Sequence, residues 1–150
     1  MRTLILALLF CFTPLAVSAV PLKVVKVSAP AINCLFNPTC TVTVNDSSDN
    51  VTLSTGGTGF FQSRTYPGAP GAPAAGLFAY EYRLDLRNAL GATAISCIDW
   101  VSMSFGPVVN TLDYDGDKKP DQVFVVTGGG IGTIGIASAI QTGSNIKFSA

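Results

Sequence analysis

Apolar and polar residues alternate most regularly in "LFAYEYRLDLRN". There Phe78, Tyr80, Tyr82, Leu84 and Leu86 interleave with Ala79, Glu81, Arg83, Asp85 and Arg87. A period of two predicts a strand with its apolar face on a core and its charged face in water, because a helical period would scatter both sets. "NALGA" then reads as a turn, and "TAISCIDWVSMSF" as a returning strand with both faces partly covered. "PLKVVKVSA", "TVTVN", "VTLS", "TGFFQSRTY", "QVFVVT" and "NIKFSA" are shorter runs rich in β-branched and aromatic residues, which predict further strands. "DSSDN" and "QTGSN" carry turn chemistry, and "YPGAPGAPAAG" predicts a surface excursion between strands. No helical stripe stands out beyond the N-terminal segment. Short strands with frequent turns predict an all-β fold: a single antiparallel β-sandwich or Greek-key domain.

The N-terminus changes the domain boundaries. Arg2 supplies a positive charge, "LILALLFCF" a short apolar run, and "VSA" small residues ending at Ala19. This is the layout of a secretory signal peptide over residues 1–19, leaving residues 20–150 as the domain. Pro14 interrupts the run and leaves too little length for a membrane span. A second uncharged stretch, Val123 to Ile140, approaches spanning length. Its glycines and β-branched residues make a weak helix, so it reads as a strand, a glycine-rich bend and another strand.

Charge and composition narrow the function. The chain has nine basic and nine acidic residues. Losing Arg2 with the signal leaves eight against nine, a net charge of about −1. No basic field attracts nucleic acid or anionic lipid. The chain contains no histidine, which removes the commonest general base and transition-metal ligand. Export permits disulfides. Asn37-Pro38 in "CLFNPTC" favours a turn closing a small Cys34–Cys40 loop, although a pairing of Cys97 with either partner stays open. The three cysteines left after signal cleavage, Cys34, Cys40 and Cys97, make a poor zinc site without histidine.

The sharpest chemistry lies in "DYDGDKKPD". Asp113, Asp115, Asp117 and Asp121 stand at positions 1, 3, 5 and 9, with Gly116 between the second and third. Calcium takes six to eight oxygen ligands, and a tight loop turns alternate carboxylates inward to meet it. Gly116 permits the bend, and Pro120 fixes the exit. "DYDGDKKPDQVFV" resembles the DxDGDxxxD calcium loops of FG-GAP repeats in integrin-type propellers and of thrombospondin type 3 repeats. The resemblance spans about thirteen residues. It implies a calcium ion held by Asp113, Asp115, Asp117 and Asp121 with the main-chain carbonyl of Lys119. The loop departs from the pattern at Lys118, where glycine is common. Phe124 replaces the bidentate glutamate that an EF-hand would place there.

Other motifs carry less. "GGGIGTIG" contains GxGxxG, but no helix pattern and no ribose-binding acid follow it. Glu81 and Asp85 share a strand face about 13 Å apart, at roughly 3.3 Å per residue, too far for a glycosidase pair. Among Phe60, Phe61, Tyr66, Tyr80, Tyr82 and Trp100, core packing accounts for most, leaving Tyr66 beside the proline-rich loop as the candidate exposed ligand-binding ring. Asn45-Asp46-Ser47 and Asn50-Val51-Thr52 are glycosylation sequons in a eukaryotic setting. The expectation is therefore a secreted or cell-surface calcium-binding protein of structural or interaction type, a matrix, fibre or adhesion component rather than an enzyme. Its partner would be a protein, a carbohydrate or further copies of itself. A carbohydrate-binding module is the alternative, and a hydrolase without a recognisable motif the third reading.

Overall fold

The computed structural model describes residues 18–52, 57–87, 98–108, 111–129, 132 and 134–150. Its elements in chain order are β1 (Ala19–Leu22), β2 (Val24–Ser28), α1 (Ala29–Phe36), β3 (Asn45–Thr52), β4 (Thr58–Pro67), β5 (Phe78–Asp85), β6 (Trp100–Ser104), β7 (Val123–Gly128), β8 (Ser138–Thr142) and β9 (Asn145–Ser149). They form a four-stranded sheet in the order β1-β8-β9-β6, a three-stranded sheet β3-β4-β5, and the pair β2-β7. The first two sheets are antiparallel throughout. The fold is all-β, as the alternation predicts. The β2–β7 pair departs from the antiparallel expectation: it is parallel, with Val24 opposite Val123 and Val27 opposite Val126. The uncharged stretch from Val123 is a strand, a bend at Gly129 (φ 72°) and a further strand. Among the described residues no helix is long and apolar enough to cross a membrane.

Helix α1 corrects the reading of this region as purely extended. Eight residues are too few for a periodic stripe to emerge, yet the local signals are present. Pro30 sits in the first turn, where its missing N–H costs nothing. Asn37 precedes Pro38, which disfavours further helix. Ile32, Leu35 and Phe36 share one face and meet the core. Beyond the helix, Asn37 Oδ1 accepts from the Thr39 amide and hydroxyl, both at 2.9 Å. The resulting turn brings Cys34 and Cys40 into a disulfide. On the chain-entropy model so short a loop contributes roughly 2–3 kcal/mol. Cys97 lies outside the described residues.

Two further expectations are overturned. "DSSDN" is not a turn but the middle of β3, paired residue for residue with β4 from Asn45–Thr65 to Thr52–Thr58. Cross-strand bonding to a long, well-formed neighbour overrides the weak strand propensity of Asn, Asp and Ser. The expected strand at Thr41 to Val44 is instead irregular. The Pro/Gly/Ala segment is the expected excursion between strands, linking β4 to β5, and it docks on the helix. Its amides satisfy the orphan carbonyls at the end of α1: Ala69 N–H donates to Phe36 at 2.7 Å and Ala74 N–H to Leu35 at 2.9 Å. Ala74 is fully buried, and with Phe36, Tyr66 and Leu112 it forms one of two apolar clusters. The other joins Leu22, Ala139 and Ile146 beneath the four-stranded sheet.

This docking forces Gly68 against the Ala74 carbonyl, so that a Cβ at position 68 would fall far inside van der Waals contact with backbone atoms. Gly68→Ala is accordingly expected to lower stability by about 1–3 kcal/mol or more, the range for an overpacked site. Gly71→Ala, with open space around its Cβ but a φ of 81°, reports the cost of backbone strain alone. Urea unfolding of the two variants checks this, and equal losses would contradict the docked loop.

Candidate metal centre

The aspartate loop runs between two pinned ends. Leu112 is buried beside Phe36 and Tyr66, and its carbonyl accepts from the Asp121 amide at 2.6 Å. Between them each carboxylate is fixed by amides further along the loop. Asp113 Oδ1 accepts from Gly116 at 2.8 Å and Oδ2 from Lys118 at 2.9 Å. Asp115 Oδ1 accepts from the Asp117 amide at 3.1 Å, and Asp117 Oδ1 from the Lys119 amide at 2.9 Å. Gly116 has φ 80° and Lys118 φ 66°. Both are left-handed, which explains why glycine is the easy choice at the position Lys118 occupies.

Asp113, Asp115 and Asp117 are exposed and offer carboxylate oxygens within 4.8 Å of one another, a spacing at which they are able to hold a metal ion. Asp121 is placed differently. It is fully buried, with Oδ2 accepting from the Tyr114 amide at 2.6 Å and the Asp115 amide at 3.2 Å. It is not one of the exposed trio.

The residue that sequence reasoning missed is Lys23, the single residue between β1 and β2. Its ammonium lies 2.8 Å from Asp115 Oδ1, 2.6 Å from Asp117 Oδ1 and 2.7 Å from Asp121 Oδ1. Partial desolvation opposes its charge, but the bonds to these three aspartates prevail and raise its pKa above the ordinary lysine value. The same bonds act on the acids. Hydrogen bonding to Lys23 holds Asp117 below the usual carboxylate range despite some desolvation. Burial alone would raise Asp121, yet Lys23 and the Tyr114 and Asp115 amides outweigh it and keep the carboxyl low. The one sequence signal for Lys23 is a lone cation inside the apolar run "PLKVV".

Tyr66 corrects the expectation of an exposed ring. It is 3% exposed and meets Phe36 edge-on at 5.2 Å between centroids. The alternation on β5 does not divide into one covered and one solvated face. Phe78, Tyr80, Glu81 and Tyr82 are exposed, while Ala79 packs on the α1 cluster and Arg83, Leu84, Asp85 and Leu86 are half-buried. Ala79 is covered because it pairs with Tyr66 across β4 and β5, beside α1 and the docked loop. Arg83 lies over Phe60 at 5.4 Å. Asp85 is engaged by Arg87 and Arg83, which hold it well below the usual carboxylate range.

Compared with family models, with curated proteins and with solved structures, the chain matches none.

Burial, and secondarily the charge of Glu81, pushes the Tyr66 phenol from 10.0 up to about 12. A raised phenol pKa means that the folded state holds the neutral form. Its contribution to stability is complete below pH 10 and is lost as pH rises toward 12. In an ultraviolet absorbance titration Tyr66 should ionise in a late phase near pH 12, and Tyr66→Phe should delete that phase. A folded-state titration that Tyr66→Phe leaves unchanged in that range would contradict the buried placement.

Proposed function

We propose that this is a secreted calcium-binding protein of structural or interaction type, with Asp113, Asp115 and Asp117 as the exposed calcium ligands. The observation that carries the reading is the convergence of these three carboxylates on a loop whose own amides fix their direction. Such preorganisation lowers the cost of gathering like charges before the ion arrives. Asp121 and the Lys119 carbonyl complete the set by the loop's resemblance to known calcium sites. The Cys34–Cys40 disulfide supports an oxidising, extracellular setting. Residues 1–17, which carry most of the signal peptide, lie outside the described residues. Cleavage after Ala19 leaves Val20 to Leu22 of β1 paired with β8.

Extracellular modules bind calcium at about 0.1–1 mM. At about 1 mM calcium and a Kd near 0.1 mM, linkage gives about 1.4 kcal/mol, a rise of several degrees in Tm for a domain of this size. Asp113→Ala and Asp115→Ala should each abolish most of the rise. Magnesium should substitute poorly, because it demands a smaller octahedral shell. Thermal melting with calcium, magnesium or chelator checks this. A Tm indifferent to chelator would reduce the loop to a polar turn.

A second reading, a carbohydrate-binding module, is favoured by the row Phe78, Tyr80 and Tyr82 on one face of β5, all exposed, with Phe61 stacked on Tyr82 at 5.9 Å. Sugar rings stack on such aromatic faces. Affinity electrophoresis against soluble polysaccharides should then retard the parent and release Tyr80→Ala. Equal mobility on every polysaccharide would remove this reading.

A further inference from the structure

Register sorts the side chains of the three-stranded sheet onto two faces of different chemistry, because residues directly opposite one another across a ladder share a face. One face carries most of the charge: Asp46, Arg64 and Glu81 form one cross-strand row, and Ser48, Gln62 and Arg83 the next. Its polar groups are spent on one another. Gln62 and Arg64 engage Asp46, and Arg83 and Arg87 engage Asp85. The other face sets the aromatic row of β5 beside uncharged polar groups. Tyr80 lies opposite Thr65, which lies opposite Asn45, and Tyr82 lies opposite Ser63, which lies opposite Ser47. Among the described residues, no hydrogen bond within the chain engages the side chains of these four polar residues. Asp49, opposite Phe61, is the one charged side chain that the register puts on this face.

Resting on the carbohydrate-binding reading above, we propose that this face takes a neutral glycan chain lying along β5, its sugar rings stacked on Tyr80 and Tyr82 and its hydroxyl edge bonded to Ser63 and Thr65. The row from Phe78 to Tyr82 spans about 13 Å, and the hydroxyl-bearing row of β4 runs about 4.8 Å to its side. That length exceeds a single sugar ring and suits an oligosaccharide. The rings are already held in place: Tyr80 meets Phe105 edge-on at 4.8 Å, and Tyr82 stacks on Phe61 at 5.9 Å. Rings fixed before binding lose little freedom when the ligand arrives. Serine and threonine hydroxyls both donate and accept, which matches the hydroxyls of a sugar. With Asp49 as its one charge and no cation, the face offers no counter-ion to a uronate or sulfate group, so acidic glycans are disfavoured.

Affinity electrophoresis of the purified protein tests this, with hydroxyethylcellulose, xyloglucan and galactomannan as neutral probes and polygalacturonate as the acidic one. A neutral polymer should retard the parent, and polygalacturonate should not. Ser63→Ala and Thr65→Val should each weaken binding about two- to tenfold, the loss of one neutral hydrogen bond. Glu81→Gln, on the opposite face, should bind as the parent does. A second arm uses the parent alone and stays decisive if a variant folds poorly. Nitration of Tyr80 and Tyr82, read by peptide mass spectrometry, should slow severalfold in the retarding polymer, with the exposed Tyr114 as reference. A polymer that binds without slowing this nitration sits elsewhere, and the inference is overturned. If Tyr80→Ala releases the polymer but Ser63→Ala and Thr65→Val bind like the parent, the carbohydrate reading stands and the role of the polar row is overturned. Equal retardation by polygalacturonate overturns the neutral preference. If no polymer of either kind retards the parent and nitration is unchanged in all of them, the carbohydrate reading itself falls, and this inference with it.

Discussion

Four carboxylates gathered into nine residues repel one another, and the structure is organised around supplying them with positive partners. Backbone amides of the loop meet Asp113, Asp115 and Asp117 one by one, and the Tyr114 and Asp115 amides meet Asp121. Lys23 adds a full positive charge, bridging Asp115, Asp117 and Asp121. The fully buried Asp121 depends on Lys23 and two amides to keep its charge, which makes this arrangement a constraint on the fold. Exposed pairs such as Arg64–Asp46 contribute about 0–1 kcal/mol each and constrain little.

The same place is a mechanical junction. Lys23 separates β1, in the four-stranded sheet, from β2, in the parallel pair. Its main chain bonds the start of β7, while Asp121, just before β7, bonds Leu112 in the α1 cluster. The loop is thus tied to both apolar clusters through short covalent and hydrogen-bonded paths.

Local chemistry made much of this legible from sequence, and distance in sequence hid the rest. The strands β4, β5, β7 and β9 announce themselves by β-branched and aromatic runs, and the Asn37-Pro38 turn by its own bonding. The aspartate spacing and Gly116 foretell a tight loop with its acids converging. Other features are invisible locally. Strand β3 has a polar, turn-like composition and exists because β4 pairs with it along its whole length. Helix α1 is too short for periodicity and is completed by amides from a loop more than thirty residues later. Tyr66 looked exposed beside prolines and glycines, but that loop folds back and covers it. Alternation on β5 revealed two chemically distinct faces, yet it is Ala79, on the face expected in water, that packs on the α1 cluster. Lys23 is an ordinary lysine until β2 pairs with β7 and carries it to the carboxylates.

The central proposal is that the aspartate loop holds calcium. Diffraction from crystals grown with calcium, with anomalous scattering used to locate the ion, tests it most directly. The account predicts an anomalous peak with Asp113, Asp115 and Asp117 oxygens about 2.3–2.6 Å away. A loop without a peak, with Lys23 still bridging the three aspartates at saturating calcium, would contradict it.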